Sequence, residues 1–270
     1  MTTIARALTI AGSDSGGGAG IQADLKTFAA FGVYGMSALT AVTAQNTVGV
    51  FGVEELPLPF IAAQIDAVMT DIGTDAAKTG MLSSAAIVAL VAEKAREHGI
   101  TNLVVDPVMV AKSGDTLLAE DAQAAARDLL LPVSLVVTPN APEASTLTGV
   151  AVESIATMRE AAVILHAQGA RWVVVKGGHL PIEGESIDLV YDGREFTELR
   201  SPRFPTKNTH GTGCTFSAAI AAGLARGLPP IDAIHRAKTY VSRAIETSLA
   251  LGQGHGPTNH LVGLSSDWTS

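Results

Sequence analysis

Leu103-Val104-Val105-Asp106-Pro107 is the stretch on which the fold turns. Apolar, β-branched residues meet an acid and a proline with no amphipathic pattern between them. A run this short, apolar at every position and stopped by a turn signal, reads as a strand buried on both faces. The same design recurs downstream. Leu135-Val136-Val137 ends at Thr138-Pro139-Asn140, and Trp172–Val175 ends at Lys176-Gly177-Gly178. Upstream, Ala7–Ala11 runs into Gly12-Ser13-Asp14-Ser15, Met36–Thr43 reads as a second buried strand, and Ala76–Thr79 as a short one. Val48–Leu56 reads as a short extended piece closed by Pro57.

Helical spacing fills the intervals. Ala19–Phe31 is followed by Gly32, Phe60–Met69 is amphipathic, and Ser84–His98 is capped by Ser83 or Ser84 and stopped by Gly99. Two further helices are predicted near Thr215–Arg226 and Ile231–Leu249. Ser186–Tyr191 and Glu195–Leu199 flank Asp192-Gly193, a hairpin signal. Apolar strands alternating with helices predict an α/β fold with a mostly parallel sheet covered on both faces, and the hairpin adds an antiparallel edge. No linker, repeat or composition break interrupts the pattern, so residues 1–270 are expected to form a single domain.

Composition narrows the function. Charged residues make up 16% and apolar ones 47% of 270 residues, which suits a compact core and excludes disorder. A net charge of -8 without a Lys/Arg cluster argues against nucleic-acid or membrane-surface binding. No uncharged apolar stretch reaches the ~18 residues of a spanning helix. A lone cysteine forbids an internal disulfide, and the first residues carry no signal-peptide pattern, so the cytoplasm is the expected compartment.

Polar groups gather at the predicted carboxyl ends of the strands, where open α/β sheets bind ligands. Asp106, Asn140 and Lys176 stand there, with Glu143 one helical turn beyond Asn140. Together they offer two carboxylates for Mg²⁺, an amide, and an ammonium for phosphate. His210-Gly211-Thr212-Gly213-Cys214-Thr215-Phe216 opens an apolar helix. Unpaired amides and the partial positive charge of a helix N-terminus make an anion cradle there, and they favour the thiolate of Cys214. The plainer reading of that segment is a glycine turn with a small buried Cys. The run Gly12–Gly20 lacks the Lys-Ser/Thr of a P-loop and the spacing of a dinucleotide fingerprint. It still joins a strand to a helix and can bring backbone close to a ligand; a flexible turn without a ligand is the alternative. His255 and His260 form no recognisable zinc motif, and no Gly-x-Ser-x-Gly elbow is present.

Gly12-Ser-Asp-Ser-Gly-Gly-Gly-Ala-Gly-Ile-Gln-Ala-Asp24-Leu-Lys-Thr27 resembles the N-terminal signature of hydroxymethylpyrimidine/phosphomethylpyrimidine kinases of the ribokinase-like superfamily. Collinear matches follow at Thr43–Thr47, Lys78–Leu82, Val105–Met109, Thr138–Glu143, Val175–His179 and His210–Thr215. The resemblance implies a three-layer α/β/α kinase of thiamine biosynthesis. It implies phosphorylation of 4-amino-5-hydroxymethyl-2-methylpyrimidine and then of its monophosphate, with ATP and Mg²⁺. By the same resemblance the pyrimidine is expected near Gly12, Asp24, Gln45, Met81 and Val108. The nucleotide is expected near Asn140, Lys176, Thr209, Gly211, Thr212 and Gly213, and the metal at Asp106 and Glu143. Cys214, where many superfamily members carry Asp, is the expected base, assisted by Gly211, Gly213 and Lys176. Pyridoxal kinase of the same fold is the alternative reading. Val110–Leu117 is polar enough to act as a lid over the phosphates, or is an ordinary surface loop. A homo-oligomer, with a dimer favoured, is the expected assembly, and small molecules are the only expected partners.

Overall fold

A computed structural model of the chain describes residues 4–109, 120–181 and 183–262. The expected lid at 110–117 lies outside the described residues. The strands are β1 (Arg6–Asp14), β2 (Tyr34–Gln45), β3 (Val50–Glu55), β4 (Ala76–Thr79), β5 (Leu103–Val105), β6 (Val136–Val137), β7 (Trp172–Val175), β8 (Glu185–Tyr191) and β9 (Phe196–Pro202). They form one sheet in the order β3-β2-β1-β4-β5-β6-β7-β8-β9. From β2 through β1, β4, β5 and β6 to β7 every pairing is parallel.

The predicted hairpin supplies β8 and β9, antiparallel to each other and to β7. At its turn, Asp192 Oδ1 accepts hydrogen bonds from the amides of Arg194 and Glu195. The opposite edge is antiparallel too, because β3 folds back along β2. That second hairpin turns at Asn46, whose Oδ1 accepts from Val48 and Gly49. Its pairing is not legible in the sequence, because β3 is mostly exposed and its apolar residues do not alternate.

Each parallel strand serves two cores, because successive side chains point to opposite faces. Leu103 and Val105 pack on one side of the sheet, Val104 on the other. Helices α1 (Gly20–Ala30), α7 (Thr212–Ala225) and α8 (Pro230–Glu246) cover the Val104 side with Phe28, Phe216, Ile220 and Ile234. The other side carries α2 (Leu58–Asp71), α3 (Ala85–Glu97), α4 (Glu120–Ala125), α5 (Ala141–Thr148) and α6 (Ile155–Ala167), through residues such as Ile61, Val91, Ala122, Leu147 and Met158. The sheet therefore lies between two helical layers, in agreement with the expected α/β/α architecture. Burying one large apolar side chain fully contributes about 1.5–3 kcal/mol.

Helices α4, α5 and α6 are additions to the elements expected from apolar period. Both α5 and α6 open on a capping box, Asn140 with Glu143 and Ser154 with Thr157, which is a legible start signal. Helix α7 is buried from Thr215 to Leu224. It is sandwiched between the sheet and α1 and α8, and Gly223 packs against Ala233. Such a helix shows no polar face, so only its small residues hint at its central position.

Candidate active site

Strands β1, β4, β5, β6 and β7 all point their carboxyl ends toward one cleft of about 830 Å³. The sheet order reverses beside β1, whose neighbours β2 and β4 lead away in opposite directions. This is a topological switch point, where α/β sheets hold ligands. Gly12 lies near the end of β1 and Met81 just past β4, so both sit at that point. The cleft is also lined by Gln45, Val108, Asp106, Asn140, Glu143, Lys176 and Thr209–Cys214. These are sequence-predicted site residues, brought together from positions spread along the chain.

Helix α7 meets the cleft with its N-terminus. Gly211 is the N-cap at φ 77°. A Cβ there would lie 1.7 Å from the carbonyl oxygen of Gly18, so only glycine fits. Among the described residues, the amides of Gly213 and Cys214 have no acceptor, whereas Thr212 N–H donates to the Thr209 carbonyl at 3.3 Å. Two adjacent free amides at a helix N-terminus are suited to an anion.

Cys214 is the third residue of α7 and is partly buried. The expected ease of forming its thiolate is reversed. Burial pushes the thiol up to about 11, Lys78 pulls it down, and the carboxylates of Asp24 and Asp106 push it further up. The amide of Gly20, at the start of α1, donates toward the sulfur and favours the thiolate. Helix termini assist this thiol without overcoming its desolvation.

Asp106 leaves β5 almost wholly buried, with Lys176 Nζ 3.0 Å from its Oδ1. Burial opposes the charge on Lys176, but Asp106 and Glu143 outweigh it and hold its pKa above that of a free lysine. Glu143 is pushed up to about 7, by burial first, with Lys176 opposing this and Asp106 adding to it. Glu143 also closes the cap of α5. Its carboxylate accepts from the Asn140 amide, and Asn140 Oδ1 accepts from the Glu143 amide. The side-chain nitrogen of Asn140 is therefore what remains for a ligand. Two buried carboxylates that line one cleft, with Asp106 pushing Glu143 up, fit a hard divalent cation, which would relieve that repulsion.

Asp24 does not fit its expected place against the pyrimidine. It is fully buried and does not line the cleft. Lys78 Nζ lies 2.9 Å from its Oδ2, and Thr9 Oγ1 donates to the same oxygen at 2.7 Å. Burial pushes the Asp24 carboxyl up, Lys78 and Thr9 act against it, and nearby Asp106 adds to the rise. Burial likewise opposes the charge on Lys78, but Asp24, Cys214 and Asp106 around it keep the ammonium protonated. Asp24 thus reaches the site through Lys78. Lys78 has no role in the sequence reading beyond opening the matched segment Lys78-Thr-Gly-Met81-Leu82.

Asp14 and His210 are a pair that the sequence does not reveal. His210 Nε2 lies 2.8 Å from Asp14 Oδ2, tying the Gly12–Gly20 loop to the start of α7. A third unpredicted pair, Lys238 and Asp188, lines the far end of the cleft. Elsewhere, Asp66, Glu97 and His98 form a cluster of possible metal ligands, but Lys94 already bonds to Asp66 and Glu97.

A three-layer α/β/α fold with a small-molecule cleft beyond its parallel strands, an open helix N-terminus for phosphate and a lysine–carboxylate set beside it defines a ribokinase-like phosphotransferase. The chain belongs to the phosphomethylpyrimidine kinase family, whose sequence profile matches residues 14–259. It is 51% identical over 264 residues to the hydroxymethylpyrimidine/phosphomethylpyrimidine kinase of Bacillus subtilis (strain 168), covering 96% of each chain. It is 53% identical over 255 residues to the thiamine biosynthesis bifunctional protein ThiED of Geobacter sulfurreducens, covering 94% of this chain and 52% of that protein. Among solved structures, an ADP complex of Bacillus subtilis pyridoxal kinase superposes with a TM-score of 0.90 at 44% identity, covering 96% of this chain and 98% of that one.

Proposed function

We propose that the chain is an ATP-dependent kinase of thiamine biosynthesis. It phosphorylates the hydroxymethyl group of 4-amino-5-hydroxymethyl-2-methylpyrimidine and then the resulting monophosphate. One observation carries this reading: a single cleft joins Gln45, Met81 and Val108 to Cys214 and the free amides of α7. The first three offer an amide and apolar cover for a flat heterocycle; the rest offer a base and a phosphate cradle. The names of the relatives at about half identity agree with it.

In the first step the substrate hydroxyl oxygen bonds to the γ-phosphorus of ATP, the bond to the β,γ-bridging oxygen breaks, and ADP leaves. Cys214, as thiolate, takes the hydroxyl proton. The thiolate is a minor form at neutral pH, but a loose phosphoryl-transfer transition state asks for that proton late. The amides of Gly213 and Cys214 and the ammonium of Lys176 face the charge on the transferring phosphoryl group. Asp106 and Glu143 would hold Mg²⁺, which neutralises nucleotide phosphate charge when bound. Asn140, Thr209 and Thr212 line the nucleotide side of the cleft.

Incubation with ATP and the pyrimidine, followed by mass analysis, should give the monophosphate and then the diphosphate. A turnover of pyridoxal that matches or exceeds that of the pyrimidine would favour the alternative, to which the pyridoxal kinase neighbour lends support. The same reading places residues 1–270 in one kinase domain, in the cytosol, where the lone Cys214 stays a free thiol. It also includes a homodimer across the β3 edge, where Phe51 and Val53 are exposed. Light scattering should show a dimer, and Phe51→Glu should weaken it; a wild-type monomer at micromolar concentration would remove this assembly.

A further inference from the structure

Asp14, His210 and Gln45 meet beside the cleft. Asp14 is almost completely buried at the end of β1. Its Oδ1 accepts from Gly16 at 2.8 Å, and its Oδ2 accepts from Gly18 at 3.0 Å and Ala19 at 2.8 Å. Burial opposes its charge, yet His210 and these amides hold the carboxyl below its usual range. An ionised carboxylate only accepts hydrogen bonds. His210 Nε2, 2.8 Å away, must therefore carry a proton.

The same Nε2 lies 3.3 Å from the side-chain amide of Gln45. A ring nitrogen that donates to Asp14 has no lone pair left for an amide N–H. Amide oxygen and nitrogen have nearly the same outline, so the hydrogen-bond network decides which faces which. The oxygen of Gln45 accordingly turns to His210, where it shares the single Nε2–H with Asp14 in a bifurcated bond, and the –NH₂ of Gln45 is the end left for a ligand. The parts are held firmly. Ser15 Oγ donates to the Gln45 carbonyl at 2.6 Å and accepts from the Gln45 amide at 2.8 Å. The His210 amide donates to Gly256, and its carbonyl accepts from Thr258. A Cβ on Gly18 would lie 2.5 Å from His210 Cδ2, so the glycine leaves room for the ring.

We propose that His210, fixed by Asp14 in the Nε2–H tautomer, is a positioning residue that makes Gln45 a hydrogen-bond donor to the substrate ring. The site then selects a heterocycle whose facing edge presents a ring-nitrogen lone pair and rejects one whose ring nitrogen carries hydrogen. The 4-aminopyrimidine has that lone pair; its 4-oxo analogue has an N–H in the same place. This inference rests on the reading that Gln45 faces the substrate.

Two measurements test it. Long-range ¹H–¹⁵N spectra of the free, imidazole-labelled protein, assigned with His210→Phe, report the tautomer without any substrate. The Nε2–H form is expected, and an Nδ1–H form overturns the proposal. Kinetics follow with the 4-amino substrate, its 4-oxo analogue and pyridoxal. His210→Phe should raise KM for the 4-amino substrate about 3- to 10-fold, the worth of one neutral hydrogen bond, with kcat and KM for ATP within about twofold. His210→Gln, which restores an N–H donor, should recover most of that loss. Gln45→Glu, an acceptor, should shift preference toward the 4-oxo analogue. An unchanged KM in His210→Phe overturns the proposal, as does a Gln45→Glu variant that still prefers the 4-amino ring. Absence of wild-type turnover on the pyrimidine, with pyridoxal turned over, would instead sink the thiamine reading; the tautomer and the His210→Phe effect on KM for pyridoxal would then decide the clamp.

Discussion

Replacing Lys78 by Met removes one partner of a pair in which both side chains have 0% exposure. Asp24 would keep Thr9 Oγ1 as donor but lose both contacts to Nζ, at 3.0 and 2.9 Å. Breaking a buried ion pair by removing one partner costs about 3–5 kcal/mol, because the remaining charge stays desolvated. For a chain of this size about 2–4 °C follows per kcal/mol, so the melting temperature should fall by roughly 6–20 °C. The double variant Lys78→Met with Asp24→Asn leaves a neutral amide beside Thr9 and should recover at least half of the loss. The ammonium also pulls the Cys214 thiol down. In Lys78→Met the lone cysteine should therefore react more slowly with iodoacetamide at pH 8 than in the wild type. Circular dichroism melts, urea titrations and mass-detected alkylation measure all three effects. A single variant within about 0.5 kcal/mol of wild type, the range of ordinary surface changes, would refute the reasoning. So would a double variant no more stable than the single.

Cys214→Ser should slow the first phosphorylation by a factor on the order of 10² to 10⁴, the usual worth of a general base. The second should suffer far less, since the acceptor phosphate has already lost its protons near neutral pH; equal losses in separate assays of the two steps would dismiss a proton-accepting role. In the wild type, alkylation of Cys214 should keep rising between pH 8 and 10, because the thiol is pushed up to about 11; a plateau below pH 8 would contradict this. Glu143→Gln keeps the capping box and removes the carboxyl that is pushed up to about 7 from 4.5. The folded wild type retains a proton that the unfolded chain has released, so this contribution is complete below about 4.5 and is lost as pH climbs through about 7. The metal-free variant should thus gain melting temperature over wild type at pH 8 but not at pH 4, and parallel curves would disprove it. Asp106→Asn should raise the Mg²⁺ concentration needed for half-maximal rate; superimposable titrations would remove Asp106 from the metal.

The sequence by itself determined the order of the strands, five of the helices, the parallel centre of the sheet and the hairpin at Asp192-Gly193. Apolar period and turn chemistry are local, so Ala76–Thr79, Leu103–Val105 and Trp172–Val175 could be delimited residue by residue. Strand-end position also singled out Asp106, Asn140 and Lys176, because a parallel sheet gathers its carboxyl ends on one side. The tertiary structure decided which charges meet. Asp24 and Lys78 are 54 positions apart, and Asp14 and His210 are 196 apart. Nothing in a residue's neighbours along the chain says whether its charge will be buried or what will face it. That is why Asp24 reads as a substrate ligand and lies beneath the site instead. It is also why Cys214 reads as an easily ionised thiol: the helix terminus that favours its thiolate is visible in sequence, while the burial and the carboxylates that oppose it arrive only with the packed fold.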